Sequence, residues 1–337
     1  MIPLNAPHWQ TTDWQQQYRD MIRSPEQLWQ RLALDPGDRP DIQTALADFP
    51  LRVTEAFVAK MQPGDWSDPL LLQILPQAQE LNDQPGYSND PLQEAASNPV
   101  PGLIHKYRGR VLMVTTPACA VHCRYCFRRA FPYNDNRASQ DDWRAALDYI
   151  RSHPEINEVI LSGGDPLSAP DDYLHQLVDR LAALPQINTL RLHTRLPLVL
   201  PARITHGLID ALTRPQLHTV IVVHANHPNE VDSDTVTALL ELKRAGFTLL
   251  NQSVLLKGVN DCAKTLTSLS KQLFDCGVLP YYLHVLDKVN GAGHFHVDDA
   301  KAQQIMQQLL ASLPGYLVPR LVREEPGQRS KTPLALR

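Results

Sequence analysis

From Arg110 onward the chain repeats one pattern six times: a short run of β-branched and aliphatic residues, then a longer amphipathic segment. The apolar runs cover 111–115, 159–161, 190–193, 220–224, 247–255 and 281–286, and the helical segments start near Ser139, Asp171, Arg203, Asp232, Asp261 and Asp298. A β-then-α unit lays successive strands parallel, because the return to the same edge requires a crossover of a dozen or more residues, and a parallel sheet must be covered by helices. Six such units predict an α/β fold: a partial (β/α)6 barrel of parallel strands.

In such folds the chemistry gathers where strands end. Here the ends carry a cysteine loop, Ser162-Gly163-Gly164-Asp165-Pro166, His193-Thr194-Arg195, His224-Ala225-Asn226-His227-Pro228, Asn251-Gln252-Ser253 and Asp287-Lys288. Any one of these reads equally well as a turn or a cap; six at one rim mark a site. Gly163 and Gly164 can take positive φ and let a ligand lie against main-chain amides, although a glycine turn before the helix at Asp171 explains them too. His224, Asn226 and Gln252 are polar positions among apolar neighbours, and burial would oblige them to find partners such as a nucleoside offers. Asn229-Glu230 reads as a helix start with no chemistry.

The first strand runs into Cys119, Cys123 and Cys126, so three of the five cysteines fall in eight residues as C-x3-C-x2-C. Three thiolates suit a [4Fe–4S] cluster and leave one iron without a protein ligand. The rival is zinc with His122 as fourth ligand, but zinc ribbons show a second C-x2-C pair, and Cys262 and Cys276 are too far apart to form one. Those two are expected to be core residues of the helix after the fifth strand.

Residues 1–105 are rich in Gln, Asp and Pro, and prolines recur from Pro50 to Pro101. They predict a helical wrapping segment without a deep core of its own, ahead of a barrel over 106–315 and a C-terminal segment over 316–337. Ser24-Pro25-Glu26-Gln27 is a helix start, with Ser24 as cap, and Leu28, Leu32 and Leu34 form the apolar face behind it. A net charge of -4 supplies no global field for nucleic acid or an acidic membrane. The first residues, Met1-Ile2-Pro3-Leu4, lack the pattern of a signal peptide, no apolar run approaches the ~20 residues of a membrane span, and clustered thiols fit a reducing compartment. A cytoplasmic protein is expected.

The cysteine loop, with Phe127 after its last thiol, resembles the signature of the radical S-adenosylmethionine superfamily. Taken with Gly163-Gly164-Asp165-Pro166-Leu167, Thr194-Arg195-Leu196-Pro197, the segment from His224 to Glu230, the segment from Gln252 to Asn260 and the terminal Lys331-Thr332-Pro333, the ordered series resembles the lysine 2,3-aminomutase family over about residues 100–333. The resemblance implies a [4Fe–4S] cluster on Cys119, Cys123 and Cys126, whose open iron is chelated by S-adenosyl-L-methionine. Gly163, Gly164 and Asp165 match the motif that meets the methionyl amino group, with His224 and Gln252 toward the nucleoside.

It further implies pyridoxal 5'-phosphate held by Lys331, with Arg110 at its phosphate and Tyr107 beside its ring. Arg128 would grip the substrate carboxylate, for which a planar fork is the natural ligand. Asp287 and Glu324 stand where the family has two aspartates for the distal ammonium of lysine; such a pair selects lysine over neutral or acidic amino acids, since it is destabilised without a cation. The implied reaction moves the amino group of L-lysine from Cα to Cβ, giving (R)-β-lysine, with a flavodoxin or ferredoxin as electron donor. The chain is most similar to the short bacterial branch whose product is attached to translation elongation factor P by a lysyl ligase. Two departures stand out: Pro326-Gly327-Gln328-Arg329-Ser330 replaces the family's glycine-rich tract, and Glu324 adds a methylene. The alternatives are a related radical enzyme with another amino-acid substrate and a zinc-stabilised binding module.

Overall fold

The computed structural model describes residues 13–35, 42–133, 136 and 140–335. The chain start and Ser139, both read above, lie outside the described residues. Each apolar run becomes a strand: β1 Leu103–Tyr107, β2 Arg110–Thr116, β3 Glu158–Gly163, β4 Thr189–Thr194, β5 His218–Val223, β6 Thr248–Val254, β7 Leu279–His284, β8 Arg320–Arg323 and β9 Thr332–Pro333. They form one sheet in sequence order, with β2 through β8 parallel and β1 and β9 added antiparallel at the two edges. The order does not close on itself, so the barrel is partial, as expected.

The crossovers are helices Gln140–Arg151, Asp171–Ala182, His206–Leu212, Ser233–Arg244, Ala263–Asp275 and Asp299–Ser312. Their apolar stripes explain their seats: Leu174, Leu177, Val178 and Leu181 recur at helical spacing and are all buried. Capping sets their starts, because the first amides of a helix lack internal partners. Asp232 accepts from the Thr235 amide at 2.9 Å, and Asp298 from the Lys301 amide at 2.8 Å. The helix expected from Arg203 begins three residues later, after Thr205 accepts from the Leu208 amide. Arg203 itself is fully buried and donates to the Leu167 and Ala169 carbonyls.

Strands β1, β8 and β9 were not foreseen. The boundary expected at 105/106 falls inside β1, and the segment from 316 supplies the sheet's last two strands. The expectation for Cys262 is corrected: it is exposed at the N-cap of helix Ala263–Asp275, while Cys276 at the other end is buried.

Among the described residues of the first hundred, the apolar side chains join the barrel's core. Met21, Leu28, Leu32, Leu34, Phe57 and Leu71 are buried in the same apolar cluster as the strand residues Val111, Val159 and Leu190. Ser24 caps helix Pro25–Arg31 as the sequence suggests. This segment also clamps the cysteine loop. The His122 amide donates to the Arg52 carbonyl and the Arg124 amide to the Gln73 carbonyl, each at 2.9 Å. The Arg124 guanidinium, fully buried, donates to both Glu80 oxygens at 2.8 and 2.5 Å and to the Phe49 carbonyl at 2.6 Å. Arg129 adds a third bond to Glu80 at 3.0 Å. Among the described residues no helix is long and apolar enough to cross a membrane.

Removing one partner from a buried ion group leaves the others uncompensated, at a cost of about 3–5 kcal/mol. Glu80→Gln should therefore lower the urea midpoint of the cofactor-free protein by a corresponding amount, whereas Glu55→Gln, at an exposed pair with Arg31, should leave it nearly unchanged. Equal midpoints for both variants would contradict the clamp.

Candidate active site

The C-terminal rim of the sheet opens into a cavity of about 420 Å³, within the range of small-molecule and cofactor sites. Every residue to which the resemblance gave a role lines it: Cys119, Cys123 and Cys126; Gly163, Gly164 and Asp165; His224 and Gln252; Tyr107, Arg110 and Arg128; and Asp287, Glu324 and Lys331.

The thiols crowd one another. Burial, then Asp165 and the other two cysteines, raise Cys119 well above its ordinary range; burial and Cys123 push Cys126 up to about 11. Such crowding favours a group that replaces the protons with positive charge. Cys123 Sγ also accepts a 2.8 Å hydrogen bond from Arg195 Nη1. His122, the fourth ligand a zinc site would borrow, turns to the wrapping segment: its Nδ1 lies 2.8 Å from the Pro50 carbonyl and its ring stacks on Phe49. The donor set is thus three thiols on one open wall, which fits a cluster with an open iron.

The glycine pair exists first for this loop. The Gly164 amide donates to the Thr116 carbonyl at 2.7 Å and the Asp165 amide to the Ala118 carbonyl at 2.8 Å. A methyl on Gly164 would stand 2.4 Å from the Ala118 oxygen, and one on Gly163, at φ +116°, 2.9 Å from the Thr116 oxygen. Amides expected to face a ligand therefore hold the cysteine loop against β3. The Asp165 carboxylate is likewise committed to the fold: it accepts from the Thr194 hydroxyl and the Arg195 amide at 2.7 Å and from the Leu167 amide at 3.0 Å.

On the nucleoside side the outcome divides. His224 Nε2 is buried without a protein partner, and burial with Arg195 nearby lowers the ring to about 4, so it stays neutral and aimed at the cavity. Gln252 on β6 lines the cavity and makes no side-chain hydrogen bond within the protein among the described residues. Asn226 differs from its expectation. Fully buried, it donates to Tyr125 Oη at 2.7 Å and Gln73 Oε1 at 3.0 Å and accepts from the Val254 amide, so its groups are satisfied within the protein. Glu230, read as a mere helix start, is fully buried and pairs with Arg195 at 2.9 Å. That pairing joins residues 35 apart and left no local signal.

The other wall is charged. Arg128 donates through Nε and Nη2 to Glu94 at 2.8 and 2.9 Å and through Nη1 to Ser162 at 3.2 Å. A guanidinium has five N–H donors, so two remain, the number a carboxylate takes in a bidentate grip. Arg110 lies over the Tyr107 ring at 4.4 Å and makes no ion pair among the described residues, which leaves its charge available to an anion. Lys331, placed by the short β8–β9 turn, pairs with Glu324 and stands 5.8 Å from the Tyr282 ring. Lys106 Nζ bridges Glu94 at 3.3 Å and Glu324 at 3.2 Å. Burial pushes Glu324 up, but Lys331 and Lys106 outweigh it and hold the carboxyl at about 2. Asp287 has no such partner: burial and Glu324 raise it to about 7. Glu94, Lys106, His193 and His284, all at this cavity, were missed as site residues; only the strand-end position of His193 hinted at it.

These residues fit both a phosphate-bearing aldehyde cofactor, through Lys331, Arg110 and Tyr107, and a diamino acid, through Arg128, Asp287 and Glu324. The profile of the radical SAM superfamily matches residues 113–268. The chain is 49% identical to L-lysine 2,3-aminomutase of Escherichia coli (strain K12) over 337 residues, all of this chain and 98% of that one. It is 47% identical to the Haemophilus influenzae protein of the same name over 95% of each chain, and 36% identical to that of Clostridium subterminale over 96% of this chain and 77% of the relative. Identity sustained across the whole of both chains, beyond the segment that carries the cysteines, makes this chain a member of the lysine 2,3-aminomutase family within the radical SAM superfamily.

Proposed function

We propose that the protein is a lysine 2,3-aminomutase that converts L-lysine to (R)-β-lysine. One observation carries the reading: a single cavity is lined both by the three thiols and by Lys331 with two carboxylates. When bound, the [4Fe–4S] cluster, S-adenosylmethionine and pyridoxal phosphate supply the radical and the electron-accepting ring. The chain holds and orients. Cys119, Cys123 and Cys126 would hold the cluster; His224 and Gln252 would offer their polar atoms to the nucleoside, and the Gly163-Gly164-Asp165 turn would meet the methionyl amino group. Lys331, Arg110 and Tyr107 hold the pyridoxal. Arg128 offers its two free donors to the substrate carboxylate, while Asp287 and Glu324 receive the ε-ammonium. The barrel shields the radical from competing hydrogen donors that would quench it.

The finer assignments belong to the same proposal. The reaction draws electrons from a low-potential donor such as flavodoxin or ferredoxin, in the cytoplasm, and its product serves the lysyl modification of translation elongation factor P. The support for that last step is the likeness to the Escherichia coli relative, 49% identical over 98% of its length. A related enzyme with a neutral or acidic substrate is disfavoured by the acidic end of the cavity.

The test is anaerobic assay of the reconstituted protein with L-lysine, S-adenosylmethionine and reductant, with chiral analysis of the product; no β-lysine would sink the proposal. Replacing Cys119, Cys123 or Cys126 by Ala should abolish bound cluster iron, whereas Cys262→Ala and Cys276→Ala should retain it. Lys331→Ala should lose covalently trapped pyridoxal after borohydride reduction and keep its iron.

Asp287 gives a pH signature. Its raised pKa means that it is protonated below about 7 in the substrate-free protein and becomes an anion above, so ammonium binding should strengthen as pH rises through that value. Lysine KM should fall across pH 6 to 8, by up to about tenfold per unit at the acid end, and Asp287→Asn should flatten the curve. For norleucine, which lacks the ammonium, the profile should be flat in both proteins. A lysine profile unchanged by Asp287→Asn would remove Asp287 from the binding site.

A further inference from the structure

Five charged side chains from four separate segments alternate in sign along one wall of the cavity: Arg128, Glu94, Lys106, Glu324 and Lys331. The outer members belong to the binding roles above. The inner two, Glu94 and Lys106, have none. Both are withdrawn from solvent, with side-chain exposures of 6% and 15%, so their contacts are neither screened nor weakened as surface pairs are. Glu94 follows Gln93, a non-glycine residue at φ +50°, a backbone geometry that costs about 1 kcal/mol or more and persists only where its surroundings enforce it. Lys106 comes from β1, the edge strand that pairs with β2 and so is fixed relative to Arg110.

Lys106 has a particular position in this chain of charges. Two ammonium groups pair with Glu324; that of Lys331 would be engaged while it holds the cofactor, whereas that of Lys106 is a counter-charge in either case. Glu324 is then partly neutralised, and Asp287, which has no ion pair among the described residues, is left as the unmatched anion for an incoming cation. At the other end, Glu94 fixes the plane of the Arg128 fork through two parallel bonds, which aims its two free donors. Lys106 touches both Glu94 and Glu324. It therefore ties the group that receives the carboxylate to the group that receives the ammonium.

We propose that Glu94 and Lys106 are positioning residues that set the separation of the two ends of the substrate site, and so act as a gauge of substrate length. The chemistry they select is a linear α-amino acid with its second ammonium at the reach of lysine, against ornithine, one methylene shorter. This rests on the function proposed above. A pocket that reads one methylene discriminates by about 10- to 200-fold.

The test compares lysine and ornithine, by kcat/KM and by calorimetric binding, in the reconstituted protein and in Lys106→Met, Lys106→Arg and Glu94→Gln. The unsubstituted protein should prefer lysine at least about tenfold. Lys106→Met and Glu94→Gln should compress that preference severalfold in both readouts, with iron and pyridoxal content unchanged, and Lys106→Arg, which keeps the bridge charge, should restore most of it. A preference unchanged in both Lys106→Met and Glu94→Gln, or lost equally in Lys106→Arg, overturns the inference, as does loss of cofactor content in step with activity, which marks a merely structural role. An unsubstituted protein that binds neither diamino acid and forms no β-lysine overturns the function itself, so the two failures are told apart.

Discussion

The site depends on the approach of two backbones. Where β2 ends, the cysteine loop lies on Gly163 and Gly164 so closely that a single methyl on Gly164 would meet the Ala118 oxygen at 2.4 Å. The parallel register of β2 and β3 brings the two strand ends side by side, with a shift between Val114 and Thr116 where the loop departs. Two amide bonds then fix the loop, and Asp165 carries the constraint onward by tying the same corner to the end of β4. Three strands are thereby locked at the rim before any ligand is considered. The position of the thiols follows from sheet register and from the missing side chains of two glycines.

From that corner the wall of the cavity is built by compensation of charge. Each buried cation has a carboxylate: Arg195 has Glu230, Arg124 has Glu80, Arg128 has Glu94, and Lys106 has Glu94 and Glu324. Buried charges without partners would be driven to neutrality. Among the described residues Asp287 has neither a cation partner nor the hydrogen-bond donors that hold Asp165, and burial with Glu324 nearby raises its carboxyl to about 7.

The sequence made the repeating architecture legible because strand and helix periods are local properties. The six crossover helices and the strand that precedes each could be read from apolar spacing, and the cysteines from their clustering. Short strands were not legible: β8 and β9 have four and two residues and little periodicity. Site residues could be placed when they sat at strand ends or in a recognisable series. Asn226 shows the limit, since its polarity announced a buried partner without saying whether this would be ligand or protein, and Glu230 read as no more than a helix start. Glu94 and Lys106 were invisible because their meaning lies in contacts with residues as much as 218 positions away. Cys262 and Cys276 were grouped by residue type, yet capping put one in solvent and the other in the core.

Lys331 sits immediately before β9, a strand of two residues paired only with β8. So short a ladder contributes few backbone bonds, and segments of this kind open locally at far lower free energy than core strands. A cofactor joined to Lys331 and gripped by Arg110 at β2 would stitch the last strand to the opposite edge of the sheet. Its binding free energy would then count toward closure of the sheet's end as well as toward catalysis, in the way that any ligand of the native state alone adds to stability. The coenzyme would then serve this fold as a clasp.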